Sequence, residues 1–163
     1  MALETPYLEI GRLSRSIRPL ELADLGDVLE IERTGYSHPW SEGVFRDCFR
    51  PDYRLWALTG FERLRGYAIV AHLFDEAHLL NLCVAEHSRR SGAGRMLLRF
   101  LIKTVFDEGM DRLILEVRRS NAPAIALYES EGFSVIGERP GYYPGTIERE
   151  DALVFAVESM KGR

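Results

Sequence analysis

The sequence predicts a mixed α/β fold, of the α/β or α+β class, in which a central sheet of antiparallel and parallel strands is flanked by helices. Short strand-like segments in the middle of the chain are separated by short turns, which favours an antiparallel meander. Strands and helices alternate farther along, and such crossovers place parallel strands side by side. With 163 residues and no obvious domain boundary, the chain is expected to form one domain.

The first part of the chain is predicted to hold one strand and two helices. No structure is assigned to a lead-in over residues 1–16, and Ile17–Leu20 has the pattern of a short strand. Leu22–Arg33 repeats its apolar residues with helical spacing. A second helix, Glu42–Phe49, follows a serine that can cap it and ends before a proline. The strands of the meander follow as Arg54–Thr59, Gly66–Phe74 and His78–Val84.

The second part of the chain alternates between helices and strands. Apolar residues recur on one face of Arg95–Asp107, which predicts a helix that ends at Gly109. The remaining segments are predicted, in chain order, as a strand over Arg112–Val117, a helix over Ala122–Ser130, and strands over Ser134–Glu138 and Ala152–Val157.

Composition and charge argue against several classes of protein. A net charge of -4 does not suit a nucleic-acid binder that relies on a basic patch. The two cysteines, Cys48 and Cys83, are far apart, and the four histidines show no metal-ligand spacing, so neither a disulfide scaffold nor a metal site is expected. No apolar run reaches the ~20 residues that span a bilayer, and no signal-peptide pattern is seen. A cytoplasmic protein without membrane contact is therefore expected.

A glycine-containing turn, RRSGAG at Arg89–Gly94, precedes the helix Arg95–Asp107. Its two glycines permit positive φ, and the backbone N–H groups at a helix start favour an anion such as a pyrophosphate. The turn is not a nucleotide P-loop, because GxxxxGK[ST] is absent, and Leu97 stands where a dinucleotide fingerprint needs its third glycine. The alternative is an ordinary loop whose arginines are solvated.

A carboxylate on a strand and a phenol on the next helix are the candidate proton-transfer groups. Glu116 shares a strand face with Ile114, opposite three apolar neighbours, and is either a general base or a partner of Arg118. Asn121 and Tyr128 lie on one face of the following helix, where Asn121 can cap the helix or bind a ligand. Tyr128 is either a proton donor or a packed helix tyrosine.

These segments together resemble the GNAT acetyltransferase family from about Leu25 to Val157. The pyrophosphate motif of that family, Gln/Arg-x-x-Gly-x-Gly/Ala, is matched by Arg89–Gly94. Further segments resemble, in the same order, the branch of bacterial ribosomal-protein-alanine N-acetyltransferases of the RimI type. Gly141 departs from that branch, which often has Asn before the paired tyrosines. The matching segments are HPWSE, DEAHLLNLCV, LEVRRSNAPAIALYESEGF, YYP and REDALVF.

The resemblance implies a GNAT fold and transfer of an acetyl group from acetyl-CoA to the N-terminal alanine of the small-subunit ribosomal protein numbered eighteen. It implies direct attack on the thioester, with Glu116 as general base and Tyr128 as general acid. A metal is not implied, and Cys83 as a nucleophile is an unfavoured alternative. The residues implied in acetyl-CoA binding are Leu82, Cys83 and Val84 on a strand, Arg89, Arg90, Ser91, Gly92, Ala93, Gly94 and Arg95 in the glycine turn, and Asn121.

Substrate binding is less sharply predicted. Trp40 with Tyr142 or Tyr143 could wall a narrow slot for a small first residue, or could form a packed aromatic cluster. A basic peptide would need acidic neighbours, although most carboxylates in turns are simply solvated. Other N-termini, lysines or a small amine are alternative substrates, and a non-catalytic acyl-CoA-binding regulatory protein is the alternative from another class. The acidic candidates are Asp75, Glu76, Glu148, Glu150 and Asp151.

Overall fold

The computed structural model describes residues 14–160, so most of the lead-in assigned to residues 1–16 lies outside the described residues. Every predicted helix and strand is present, with ends shifted by a few residues. The helices are α1 Leu25–Gly35, α2 Glu42–Asp47, α3 Ala93–Asp107 and α4 Ala122–Ser130. The strands are β1 Ser16–Pro19, β2 Tyr53–Gly60, β3 Arg63–Leu73, β4 Glu76–Val84, β5 Arg112–Arg118, β6 Ser134–Tyr143 and β7 Glu150–Glu158.

The seven strands form one mixed sheet in the order β1-β2-β3-β4-β5-β7-β6, which confirms the predicted fold class. β2 and β3 are joined by Phe61 and Glu62 alone, and β3 and β4 by Phe74 and Asp75. Connections this short permit only antiparallel pairing, in agreement with the predicted meander. None of the helices within residues 14–160 is long and apolar enough to cross a membrane.

The chain divides into two compact units, and the first contains residues 14–69 and 81–97. In this unit β1 pairs antiparallel with β2, from Ser16 opposite Thr59 to Pro19 opposite Trp56. Apolar side chains from the helices and strands form its core. The fully buried members include Val28, Phe45, Leu58 and Tyr67.

The second unit contains residues 70–80 and 98–160 and holds the crossover part of the fold. β4 and β5 are parallel neighbours over Glu76–Leu79 and Arg112–Leu115, as the sequence predicted. The expectation that parallel strands lie side by side is wrong for β6, because β7 lies between β5 and β6 and is antiparallel to both. β6 contains Pro140 and is largely exposed, which suits an edge strand, whereas β7 buries Ala152 and Phe155 completely.

Candidate active site

Glu116 is a nearly buried carboxylate in the middle of β5. Its side chain is 7% exposed, while Leu113, Leu115 and Val117 point to the opposite face and are buried. This alternation is the one that the sequence predicted. Burying a carboxylate is costly without polar partners, so the groups around Glu116 determine what it can do.

Two basic side chains contact the two oxygens of Glu116. The Nε2 atom of His78, on β4, lies 2.5 Å from Oε2. The guanidinium of Arg139, on β6, lies 3.4 Å from Oε1, which makes no hydrogen bond within residues 14–160. The expected alternative partner, Arg118, is not among these contacts, because its guanidinium instead bonds the Glu150 carboxylate at 3.0 Å.

Two tyrosines belong to the same unit as Glu116. The ring of Tyr128 packs against Phe133 and Phe155, with centroid distances of 5.7 and 6.3 Å, and desolvation raises its pKa to about 12. Burial also raises the pKa of Tyr143 to about 12, with contributions from the charges of Tyr142 and Glu116. Both phenols therefore keep their protons at neutral pH, and the Tyr143 phenol lies within electrostatic range of the Glu116 carboxylate.

Asn121 occupies the N-cap position of α4. Its side-chain oxygen accepts a hydrogen bond from the Ala124 N–H at 3.3 Å, which satisfies one of the free amides of the first helical turn. The capping role considered from the sequence is thus observed. The cap uses the carbonyl oxygen of the side chain, so its amide nitrogen can still donate to a ligand.

The last residues of β4 present their backbone to several polar groups of the first unit. The Tyr36 hydroxyl donates to the Leu82 carbonyl at 2.6 Å, and the Arg89 Nε–H donates to the Val84 carbonyl at 3.2 Å. The Cys83 side chain is buried, and desolvation raises the pKa of its thiol to about 11. A thiol that stays protonated at neutral pH is a poor nucleophile, which disfavours Cys83 in that role.

The glycine turn adopts left-handed backbone at Arg90 and Gly92, with φ of 58° and 81°. Both glycines of the turn permit positive φ, but Gly94 is the second residue of α3, and Arg90 takes the other left-handed position. The first backbone bond of the helix runs from the Met96 N–H to the Gly92 carbonyl at 3.0 Å. The preceding N–H groups lie outside the helical ladder, and an anion can accept from them.

Ser91 is fixed in this turn by Arg15. The Arg15 guanidinium donates to the Ser91 carbonyl at 3.0 Å and to its hydroxyl at 2.6 Å. Neither contact can be read from the sequence, because Arg15 lies in the predicted lead-in, far from the turn. With its cations and its left-handed residues, the turn fits a pyrophosphate group.

Trp40 packs in an aromatic cluster of the first unit. Its ring lies 5.3 Å from that of Phe45, which contacts the buried Tyr67 at 5.7 Å. The backbone N–H of Trp40 donates at 2.9 Å to the carboxylate of Glu32, a buried residue that no sequence motif indicates. Asn81 donates to the same carboxylate at 3.0 Å, so a buried network holds the segment that carries Trp40.

The paired tyrosines at the end of β6 stack with arginines. Their rings meet edge to face at 4.9 Å, Arg118 lies 4.5 Å from the Tyr143 ring centroid, and Arg139 lies 5.3 Å from that of Tyr142. Most of the acidic candidates have internal partners: Glu76 pairs with Arg112, Glu150 with Arg118, and Asp151 with the Gly141 N–H. Asp75 and Glu148 are exposed.

Comparison with known proteins defines the class to which this fold and this site belong. A family model of the GNAT acetyltransferases matches residues 25–133. The chain therefore belongs to the GNAT family and is an acetyl-CoA-dependent N-acetyltransferase.

Individual members of the family are similar to this chain in sequence over nearly their whole length. It is 42% identical over 142 residues to the ribosomal protein bS18-alanine N-acetyltransferase of Escherichia coli, a match that covers 87% of this chain and 96% of that protein. The corresponding Haemophilus influenzae protein is 35% identical over 141 residues, with coverages of 86% and 96%. A crystal structure of the Escherichia coli ribosomal-protein-alanine N-acetyltransferase aligns with a TM-score of 0.86 at 41% identity, covering 91% and 97% of the two chains.

Proposed function

We propose that this protein acetylates the N-terminal alanine of ribosomal protein bS18. The names of these two relatives support this substrate, and the match extends over nearly the whole of each relative. The structural observation that carries the proposal is the carboxylate of Glu116, buried with Oε2 bonded to His78 and Oε1 without a hydrogen bond within residues 14–160. An amine N–H is a suitable donor to such an oxygen.

Glu116 would act as the general base. The amine must lose a proton before it attacks, and a protein α-amino group titrates near 7.7–8.0, against about 10.4 for a lysine side chain. Deprotonating an N-terminus is therefore easier by about 3–4 kcal/mol. A single carboxylate is an adequate base for the first amine and a poor one for the second, which favours an N-terminal substrate over lysine.

Tyr128 would donate a proton to the departing sulfur. A pKa of about 12 keeps this phenol protonated at neutral pH, so that its O–H can point at the departing sulfur. A thiol titrates near 8.5, so the leaving thiolate needs only modest help from an acid. Packing against Phe133 and Phe155 fixes the ring that carries the donor.

The glycine turn and the end of β4 would bind the cosubstrate. Acetyl-CoA supplies the acetyl group, activated as a thioester. The backbone N–H groups of the turn, with Arg89, Arg90 and Arg95, would donate hydrogen bonds to the pyrophosphate, and the backbone of Leu82–Val84 would bind the pantetheine arm. Asn121 would donate its side-chain amide to the same ligand.

The peptide would be recognised by aromatic and acidic side chains. Tyr142 and Tyr143 are held in a defined geometry by their arginine contacts, and Trp40 is held through its backbone by Glu32. The exposed carboxylates Asp75 and Glu148 would attract a basic N-terminal segment. Each of these side chains is proposed as a peptide contact.

Mass spectrometry of two synthetic peptides tests the proposed function. One peptide begins with a free Ala-Arg, and its twin has a blocked N-terminus and an internal lysine; both are incubated with the protein and acetyl-CoA. We expect one acetyl group on the free peptide and none on the twin. Acetylation of the twin would identify a lysine acetyltransferase. Absence of product on both, with acetyl-CoA bound, would favour another amine substrate or a regulatory acyl-CoA-binding protein.

A further inference from the structure

We propose that His78 is a positioning residue for Glu116, which fixes the orientation of the carboxylate through a hydrogen bond. This role rests on the proposed function, because it requires Glu116 to be the proton acceptor. His78 lies in the segment DEAHLLNLCV, but the sequence gives it no role, and the pairing of two strands brings it to the site.

The register of the sheet places the two side chains together. His78 on β4 lies opposite Ile114 on β5, so that Glu116 is the next residue of the same face along β5. In a parallel pair, diagonal neighbours on one face are within reach of long side chains. With Nε2 and Oε2 2.5 Å apart, the two side chains are in hydrogen-bond contact.

His78 is the single hydrogen-bond donor to the Glu116 side chain within residues 14–160. The other oxygen contacts Arg139 only as an ion pair at 3.4 Å. Without the imidazole, the carboxylate would be free to rotate toward that guanidinium and would then present a neutralised oxygen to the amine. His78 therefore determines which oxygen faces the substrate.

The pair is also connected to solvent. The His78 side chain is 32% exposed, against 7% for Glu116, and its ring makes no second hydrogen bond in the described part of the chain. The second ring nitrogen of His78 can therefore bond to water while Nε2 holds the carboxylate.

The other charges around the pair come from three strands. Arg139 and Tyr143 belong to β6, and Tyr143 is in electrostatic range of Glu116. On the same face, Glu76 of β4 and Arg112 of β5 form an ion pair at 2.6 Å and largely neutralise each other. Because Arg139 is charged at every accessible pH, it is the neighbour that competes with His78 for the Glu116 carboxylate.

Two substitutions separate the hydrogen bond from the imidazole ring. His78→Gln keeps an N–H donor without the ring, and His78→Leu removes the donor. His72→Gln is the matched control, because His72 faces the Glu108 carboxylate at 3.4 Å in the same unit and has no contact with Glu116. Glu116→Gln gives the activity that remains without the base. Turnover of the Ala-Arg peptide is measured from pH 6 to pH 9, with KM for acetyl-CoA.

We expect His78→Leu to lower kcat by roughly tenfold to a hundredfold, the effect of one charged hydrogen bond, with KM for acetyl-CoA unchanged. His78→Gln should retain kcat within about threefold, because its side-chain N–H can still hold the carboxylate. His72→Gln should match the unaltered protein throughout.

Nuclear magnetic resonance of the imidazole nitrogens tests the contact independently of turnover. The His78 signals, assigned by their loss in His78→Gln, should shift in Glu116→Gln. Unchanged signals would overturn the proposal, as would a His78→Gln enzyme as slow as His78→Leu or a His78→Leu enzyme with normal kcat. An unaltered protein that does not acetylate the peptide would overturn the proposed function together with the role of His78, whereas the other results would overturn the role of His78 alone.

Discussion

Tyr128→Phe separates chemistry from packing, because it removes one oxygen and keeps the ring that contacts Phe133 and Phe155. We expect kcat for the Ala-Arg peptide to fall by about a hundredfold, at the lower end of the range for general acid catalysis, since the thiolate leaves readily. KM for acetyl-CoA should not change. Steady-state kinetics measures both quantities.

Tyr53→Phe is the control for this change, because Tyr53 begins β2 in the other unit and has no proposed role. It should leave kcat as it is. A Tyr128→Phe enzyme with normal kcat over the whole pH range would exclude Tyr128 as the proton donor.

The sequence could identify some site residues and not others for a physical reason. The orientation of Glu116 follows from local alternation along one strand, which is visible in the sequence. Its contacts with His78 and Arg139 depend on the register between strands that are distant in the chain. Similarly, the left-handed conformation of Arg90 could not be inferred, because any residue other than glycine is a poor candidate for it.

At the level of elements, a substitution in the glycine turn should affect both the stability of the protein and its KM for acetyl-CoA. An added Cβ at Gly92 would meet no atom within 4 Å, but its φ of 81° strains any L side chain. Gly92→Ala should therefore lower the free energy of unfolding by about 1–2 kcal/mol and raise KM for acetyl-CoA. Urea unfolding measures the first quantity and turnover kinetics the second.

Gly26→Ala is the matched control, because Gly26 lies in α1 with equally open space around it and no positive φ. It should raise the free energy of unfolding by about 0.5 kcal/mol and leave KM unaltered. Equal effects of both substitutions would mean that the backbone at Gly92 is not strained.

Helices and strands were predictable because the apolar residues of each segment repeat with a clear period. The place of each strand in the sheet was not predictable in this way. β6 follows β5 through a helix, a pattern that suggests parallel neighbours. Pro140 and the exposure of β6 show why the edge position is favoured. β7, with its apolar centre, takes the interior position instead. The proline was visible in the sequence and would have supported this order.

For the whole molecule, buried tyrosines predict a loss of stability in alkali. The pKa values of Tyr128 and Tyr143 are raised to about 12, and burial also raises that of Tyr67. Because the unfolded chain releases these protons near pH 10, the stabilisation is complete below pH 10 and is lost as the pH rises toward 12. Each tyrosine that ionises only on unfolding lowers the free energy of unfolding by about 1.4 kcal/mol per pH unit.

Urea unfolding at pH 8, 10 and 11 measures this slope. Between pH 10 and 11, the free energy of unfolding of Tyr128→Phe should fall less steeply than that of the unaltered protein. The difference should be roughly the slope that one tyrosine contributes. The same slope in both proteins would show that Tyr128 is not desolvated. Tyr53→Phe again serves as the reference.

The position of β7 has a consequence for how the second unit assembles. β7 is the last strand along the chain, yet it pairs with both β5 and β6 and joins residues as distant as Arg112 and Glu158. Such long-range pairing closes large loops and slows folding. Until β7 docks, β5 has an unpaired edge that can add strands from other molecules. Refolding yield should therefore depend on protein concentration, and a chaperone that shields strand edges should improve it.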